Sequence, residues 1–314
     1  MAQRSIKRIQ NDIKLYFKSD LNDHGIYIHF NDKNIFNAKA LIIGPDETPY
    51  KNGFYFFDIN YTEKYPQEPP KVVLCTLNKR TRFNPNLYTG GKVCLSILGT
   101  WSGPGWTPCL STNEVLLSIQ SLMNNNPIQN EPGFENLTLA NSEDARKYIR
   151  ILEYHNHLIA VVQMIENIPP PFACFKELIE SKFCEFYKAN FEFISDMAKS
   201  KYNMANEFLR MYSLGDTLNY SELVHNYKEI YERLGPVYDE SVFEKQEKLN
   251  AQEQEHQQDQ SVVLEDSKSK RKLPTDSASN YDEGYVTTYE GKEYKVKVVN
   301  GKGGTQYKRW VLNK

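Results

Sequence analysis

The sequence predicts an α+β fold, and three observations predict it. A helical period opens the chain, four β-rich runs follow one another directly, and a helical period returns after residue 110. Ile6, Ile9, Ile13 and Phe17 recur at helical spacing, while Arg4, Lys7, Arg8 and Lys14 fill the other face. This is an amphipathic helix ending near Ser19. "GIYIHF" (25–30), "FNAKALIIG" (36–44), "GFYFFDINY" (53–61) and "KVVLCT" (71–76) are rich in β-branched and aromatic residues. Asn, Asp, Gly and Pro turns separate them, so an antiparallel meander of four strands is expected.

Residues 78–108 show no period. A structureless stretch of that length is uncommon inside a compact domain and points to function. At its end "STNEVLLSIQSLM" (111–123) starts a second helix. Ser111 and Glu114 have the spacing of a capping box, and Val115, Leu116, Ile119, Leu122 and Met123 form one apolar face. "NNNPIQNEPGF" (124–134) breaks the pattern. A long helix is expected over 143–166, stopped by Pro169, Pro170 and Pro171. Two more helical stretches are read over 172–214 and 220–248. Residues 249–280 are dominated by Gln, Glu, Ser, Lys and Asp and nearly lack aromatics, the composition of a flexible linker. "KRK" (270–272) within it is a charged linker segment. In 281–314 two β-rich runs flank an Asn-Gly loop, which predicts a hairpin in which basic residues outnumber acidic ones. The expected organisation is therefore a catalytic domain over 1–168, a helical extension over 169–248, the linker, and a small β tail over 281–314.

Composition narrows the function classes. The 314 residues carry a formal net charge of -2, unlike a protein built to coat nucleic acid or an acidic membrane. No apolar run approaches the about 20 residues of a membrane helix, and the first residues lack a signal-peptide core. The five cysteines, Cys75, Cys94, Cys109, Cys174 and Cys184, are scattered and form no C-x-x-C pair. Neither a zinc site nor a dithiol redox motif is indicated, and no metal or cofactor is expected. Reduced thiols point to the cytosol or nucleus. "GGK" (90–92) and "GKGG" (301–304) lack phosphate-loop spacing and read as turns.

The segment "RFNPNLYTGGKVCLSILGTWSGPGWTP" (82–108) concentrates the unusual residues. Cys94 is either a buried small apolar residue or a nucleophile whose thiolate does chemistry. No histidine lies in this segment. His155 and His157 sit two apart on a helix, hence on different faces, so a Cys–His hydrolase has no local support.

In order and motif the first half of the chain resembles ubiquitin-conjugating enzymes. "PYKNGFYF" (49–56) matches the family's P-Y-x-x-G-x-F-x-F strand, and "YPQEPPKV" (65–72) its Y-P-x-x-P-P-x-V. The His-Pro-Asn triplet of the family falls on Asn84, Pro85 and Asn86, its catalytic cysteine on Cys94, and its W-x-P on Trp106, Thr107 and Pro108. The match covers about 4–166. It is closest to the branch of large members with a C-terminal helical extension, among them relatives of the giant inhibitor-of-apoptosis conjugating enzyme.

The resemblance implies that Cys94 accepts ubiquitin, or a ubiquitin-like protein, as a thioester from an activating enzyme and passes it to a substrate lysine. ATP would be used by the activating enzyme, not bound here. It implies an oxyanion or loop-support role for Asn86, and it places Asn130 or Glu131 where the family orients the attacking lysine. Lys7 and Arg8 fall on the helix that meets the activating enzyme, and Gln67 and Pro108 on the loops that meet a ligase. The chain departs from the family in four ways. Asn84 replaces the histidine, Ser96 replaces an acidic residue common two positions after the cysteine, and about four extra residues lengthen the loop before Trp106. Gln67 replaces the aromatic of many ligase-binding members. The rival reading is a catalytically silent variant that binds ubiquitin or a partner. At the end of an irregular loop, Cys94 is expected to face solvent.

Overall fold

The computed structural model describes residues 2–235, 237–238, 278–289, 292–300 and 306–312. Contacts divide the chain into two units, Met1–Gln246 and Glu247–Lys314.

In the first unit α1 (Ala2–Phe17) leads into strands β1 (Ile26–Phe30), β2 (Asn37–Ile43), β3 (Phe54–Asn60) and β4 (Lys71–Leu74). They form one antiparallel sheet in the order β1-β2-β3-β4, with Ile28 opposite Ala40 and Leu41 opposite Phe56. This is the α+β meander that the sequence predicts. After the long irregular segment come α2 (Thr112–Leu122) and α3 (Glu143–His155). The box at the start of α2 is formed: Glu114 Oε2 accepts from the Ser111 backbone N–H at 2.6 Å, and Ser111 Oγ accepts from the Asn113 N–H. α3 continues without a break as a π-helix over Asn156–Gln163 and closes as α4 (Met164–Glu166).

Both faces of the sheet are covered. Ile26, Ile28, Ala40, Ile42, Tyr55 and Phe57 point to one side, where α1, α2 and α3 cover them with Ile9, Val115, Leu116, Ile119, Tyr148 and Leu152. Leu41, Ile43, Phe54 and Phe56 point to the other. There they meet Phe172, Phe175, Ile179 and Phe183, from a 3₁₀ turn (Pro170–Phe175) and α5 (Lys176–Lys199). The alternation that a half-exposed sheet needs is therefore lost: Ala40 to Ile43 and Phe54 to Phe57 are buried at every position. α6 (Tyr220–Leu234) packs on α5, with Tyr187 and Tyr231 stacked at 3.8 Å.

The sequence reading of the extension needs correction. The predicted helix over 172–214 ends at Lys199, and a hairpin follows, β5 (Ala205–Leu209) with β6 (Leu214–Leu218), joined by a 3₁₀ turn at Arg210–Tyr212. Its bends lie at Met204 (φ 60°) and Ser213 (φ 47°), left-handed residues that are not glycine. The hairpin is fastened to α3. Arg150 reaches Glu207 through Nε at 2.6 Å and Glu143 through Nη2 at 2.9 Å, and His155 Nε2 lies 3.1 Å from Asp216 Oδ2. Of the helix predicted over 220–248, α6 ends at Leu234, where Gly235 precedes Pro236 in the sequence, and residues 239–248 lie outside the described residues.

The second unit holds β7 (Val286–Tyr289), β8 (Lys292–Asn300) and β9 (Gln306–Leu312) in one antiparallel sheet. The predicted hairpin is β8–β9, and β7 adds a third strand. The linker over 249–277, with "KRK", and the loop bearing "GKGG" lie outside the described residues.

Candidate functional site

The segment before Cys94 has little regular pairing, so side chains satisfy its backbone. Asn84 is fully buried and occupied at both ends. Its amide donates to the Leu122 carbonyl at 2.7 Å and to Tyr50 Oη at 3.1 Å, while Oδ1 accepts from the Asn86 N–H at 3.0 Å and from Asn130 Nδ2 at 3.3 Å. An imidazole, with two ring nitrogens, offers fewer bonds than the four made here. Asn84 is thus a structural node tying the triplet to the end of α2.

Asn86 is bound to the cysteine itself. Its Nδ2 donates to the Cys94 carbonyl at 2.8 Å, and its own carbonyl accepts from the Cys94 N–H at 2.9 Å. Its Oδ1 is buried and has no partner. Upstream, Gly91 turns with φ 88°, and a Cβ there would stand 2.6 Å from the Leu74 carbonyl oxygen. Downstream, Thr100 Oγ1 donates to the Val93 carbonyl at 2.7 Å and accepts from the Leu95 N–H at 3.0 Å. These bonds enclose Cys94, which is 1% exposed. The expectation of a solvent-facing thiol is therefore wrong. The loop is irregular, yet the Cys94 side chain is buried within it. The longer stretch over 99–105 is exposed throughout, with Trp101 37% exposed, and a Cβ at Gly103 would stand 3.0 Å from the Ser96 Cβ.

Asn130 and Glu131 separate in the structure. Asn130 is turned inward to Asn84 and to the Leu122 carbonyl. Glu131 is half-buried, and its Oε2 accepts from the Tyr212 hydroxyl at 2.7 Å and lies 3.8 Å from Arg82 Nη2. The sequence gives no hint of Arg82 or Tyr212. Tyr212 in particular lies in a stretch read as helix.

Of the expected contact residues, Lys7, Gln67 and Pro108 are exposed. Arg8 is not part of a free basic face. Its guanidinium binds Asp12 at 2.8 Å and donates to the carbonyls of Pro108 and Leu110. Asp12 in turn accepts from the Tyr65 hydroxyl, and Trp106 Nε1 donates to the Pro66 carbonyl at 2.6 Å. The network ties α1 to both loops, and Asp12 with its neighbours holds the Arg8 guanidinium above its ordinary range against the opposing effect of burial.

The two helix histidines are both buried and have structural partners. His155 bonds Thr81 Oγ1 at 3.0 Å as well as Asp216, and His157 Nδ1 meets the Tyr227 hydroxyl at 2.7 Å. Burial pushes His157 down to about 4. Among the described residues no cluster of three or more His, Cys, Asp or Glu could hold a metal ion.

With this geometry in view, residues 8–155 match the family described as ubiquitin-conjugating enzyme. The chain is 37% identical over 207 residues to Ubiquitin-conjugating enzyme E2 Z of Xenopus tropicalis, covering 66% of this chain and 64% of that protein. It is 40% identical over 187 residues to Ubiquitin-conjugating enzyme E2 Z of Homo sapiens, 59% of this chain and 52% of that one. Over 166 residues it is 39% identical to Dual E2 ubiquitin-conjugating enzyme/E3 ubiquitin-protein ligase BIRC6 of Homo sapiens, 50% of this chain but 3% of that protein. The chain thus spans less than two thirds of the length of these relatives. The helix, the four-stranded meander, the side-chain-braced triplet and the cysteine eight residues beyond its end converge on one assignment: residues 8–155 are a domain of the ubiquitin-conjugating enzyme family.

Proposed function

We propose that this chain is a ubiquitin-conjugating enzyme with Cys94 as its acyl carrier. The Cys94 thiolate attacks the thioester carbonyl that joins the modifier's C-terminus to an activating enzyme, and that enzyme's thiolate leaves. A substrate lysine, having shed a proton, then attacks the new thioester, and the Cys94 thiolate leaves as the amide forms. Both steps pass through an oxyanion, which one well-placed donor stabilises. Asn86 is the candidate. One hydrogen of its amide holds the Cys94 carbonyl, and the second is left to a developing oxyanion beside the sulfur. The modifier is ubiquitin or a ubiquitin-like protein, the donor is its activating enzyme, and a ligase meets the exposed Gln67 and Pro108 loops. The cytosol or nucleus, where thiols stay reduced, suits this chemistry.

The observation that carries this reading is the pair of hydrogen bonds between Asn86 and Cys94 within a domain of this family. The enclosed thiol adds a condition. Charging requires the Cys94 side chain, 1% exposed, to become accessible.

Incubation with activating enzyme, ubiquitin and ATP should give a thiol-sensitive adduct on a non-reducing gel. Cys94→Ser should remove that adduct or replace it by a thiol-resistant ester. A thiol-sensitive adduct that survives Cys94→Ser would sink the assignment. Failure of the wild type to charge with ubiquitin and with ubiquitin-like modifiers would shift the reading to a silent binding module.

A further inference from the structure

The extension hairpin ends where the candidate site begins. Tyr212, in the turn between β5 and β6, places its hydroxyl on Glu131 Oε2 at 2.7 Å. The Arg82 guanidinium carbon lies over its ring at 4.6 Å and over the Tyr88 ring at 3.9 Å. Arg82 Nη2 donates to the Pro85 carbonyl at 2.6 Å, one residue before the Asn86 that holds Cys94. The Tyr148 hydroxyl fixes the Arg82 carbonyl at 2.7 Å, and Tyr148 itself lies 5.4 Å from Tyr212.

We propose that Tyr212 is a positioning residue for the Cys94 site, its ring holding Arg82 on the Pro85 carbonyl and its hydroxyl holding Glu131. The proposal rests on the conjugating reading of Cys94.

The two halves of the phenol have separable roles. A guanidinium is planar and weakly hydrated, so it sits against aromatic faces at little desolvation cost. Arg82 Nε is buried without a partner, so the two rings, the Pro85 bond and the Glu131 carboxylate 3.8 Å away are what orient the group. Removing one ring admits water to the guanidinium face and loosens the Pro85 bond, and with it the backbone that carries Asn86. The hydroxyl acts on Glu131, on the segment that follows α2. One side chain from the extension thus reaches segments on both sides of the triplet. The hairpin does not depend on Tyr212 for its place, because Arg150 with Glu143 and Glu207, and His155 with Asp216, hold it independently. Burial and the neighbouring Glu131 raise the Tyr212 phenol above its ordinary range, so it remains a donor through the working pH range.

The test uses the full chain with Tyr212→Phe, which keeps the ring, and Tyr212→Leu, which keeps neither part. Two quantities are read. One is the single-turnover rate of discharge of the Cys94 thioester to free lysine, over a range of lysine concentrations. The other is the rate at which iodoacetamide alkylates Cys94, followed by peptide mass spectrometry with Cys75, Cys109, Cys174 and Cys184 as internal references. Tyr212→Leu should lower kcat for discharge about tenfold or more, as misplacement of a reacting group does, with little change in KM for lysine. It should also change Cys94 alkylation several-fold relative to the reference thiols. Tyr212→Phe should restore the wild-type alkylation rate and most of the discharge rate. Wild-type discharge and alkylation in Tyr212→Leu would overturn the proposal. So would a smaller charged fraction with an unchanged discharge rate, which marks a merely structural role. If the wild type does not charge, the conjugating reading fails, and the alkylation comparison still decides whether Tyr212 positions the Cys94 segment.

Discussion

The two sides of this domain are held together by different chemistry. Around Cys94, polar side chains take the place of a hydrogen-bonded ladder. Asn84, Asn86, Thr100 and Arg82 each bond backbone atoms that no strand or helix partners. On the far face of the sheet the extension uses rings: Phe56 lies 4.9 Å from Phe172, and Phe183 lies 5.3 Å from Tyr227. Apolar contact is large in energy and tolerant of shape, whereas an amide bound at both ends is modest in energy and intolerant of replacement. The face with the greater stake in stability is therefore the extension, and the face with the greater stake in geometry is the Cys94 segment.

That contrast can be broken most sharply at Phe183. Phe183→Ala should cost about 3–5 kcal/mol by urea denaturation, and Phe183→Leu under about 1.5 kcal/mol. A loss below 1 kcal/mol for alanine, by the same standard, would show that the extension merely rests on the sheet. Asn84→Ala is the smaller perturbation. Leaving the Asn86 N–H without its partner, while Asn130 still holds the Leu122 carbonyl, should cost about 1–3 kcal/mol. Its larger effect should be on Cys94 reactivity, and unchanged alkylation of Cys94 would remove Asn84 from the site's supporting frame.

The finest test is a titration. His157 is buried beside the Tyr227 hydroxyl and the Phe193 ring, and its value falls to about 4 from an ordinary 6.5. The unfolded chain therefore binds this proton more readily than the folded one. Stability should be complete above pH 6.5 and fall as the pH drops toward 4, by about 3 kcal/mol over the window for this group. His157→Gln, which keeps a partner for Tyr227, should flatten that part of the difference between pH 7 and pH 4.5. An unchanged slope in the variant would mean that carboxylates alone set the acid sensitivity.

Much of this architecture is legible in the sequence because its signals are local. The four strands are bounded by turn residues, the capping box is spelled by Ser111 and Glu114, and the motif spacing marks Cys94 and Asn86. What escapes is carried by residues that do not announce themselves. Met204 and Ser213 make the left-handed bends of the extension hairpin without a glycine, so "NMANEFLRMYSLG" passes for helix. Arg8 looks like part of a basic surface, yet a carboxylate four residues away and two distant carbonyls claim it. Tyr212 meets Glu131 across 81 positions, a pairing that no period encodes. The burial of Cys94 depends on the fold around it, which spacing does not specify.

The π-helical stretch that joins α3 to α4 bears on how the domain comes apart. The rod widened over Asn156–Gln163 commits Tyr148, Ile151, Leu152, Ile159 and Ala160 to the cluster under α1 and α2. Tyr154, Val161, Val162 and Ile165 of the same rod go to the cluster under the extension. Leu158 touches both. The buried Asn156 side chain pins the joint, accepting from Tyr55 Oη at 2.7 Å and donating to the Lys51 carbonyl at 2.8 Å. Neither cluster can melt without unseating one face of a helix whose other face is still packed. Such a shared strut converts two hydrophobic cores into a single cooperative folding unit, so damage on the extension side is felt as a loss of the whole domain rather than as local fraying.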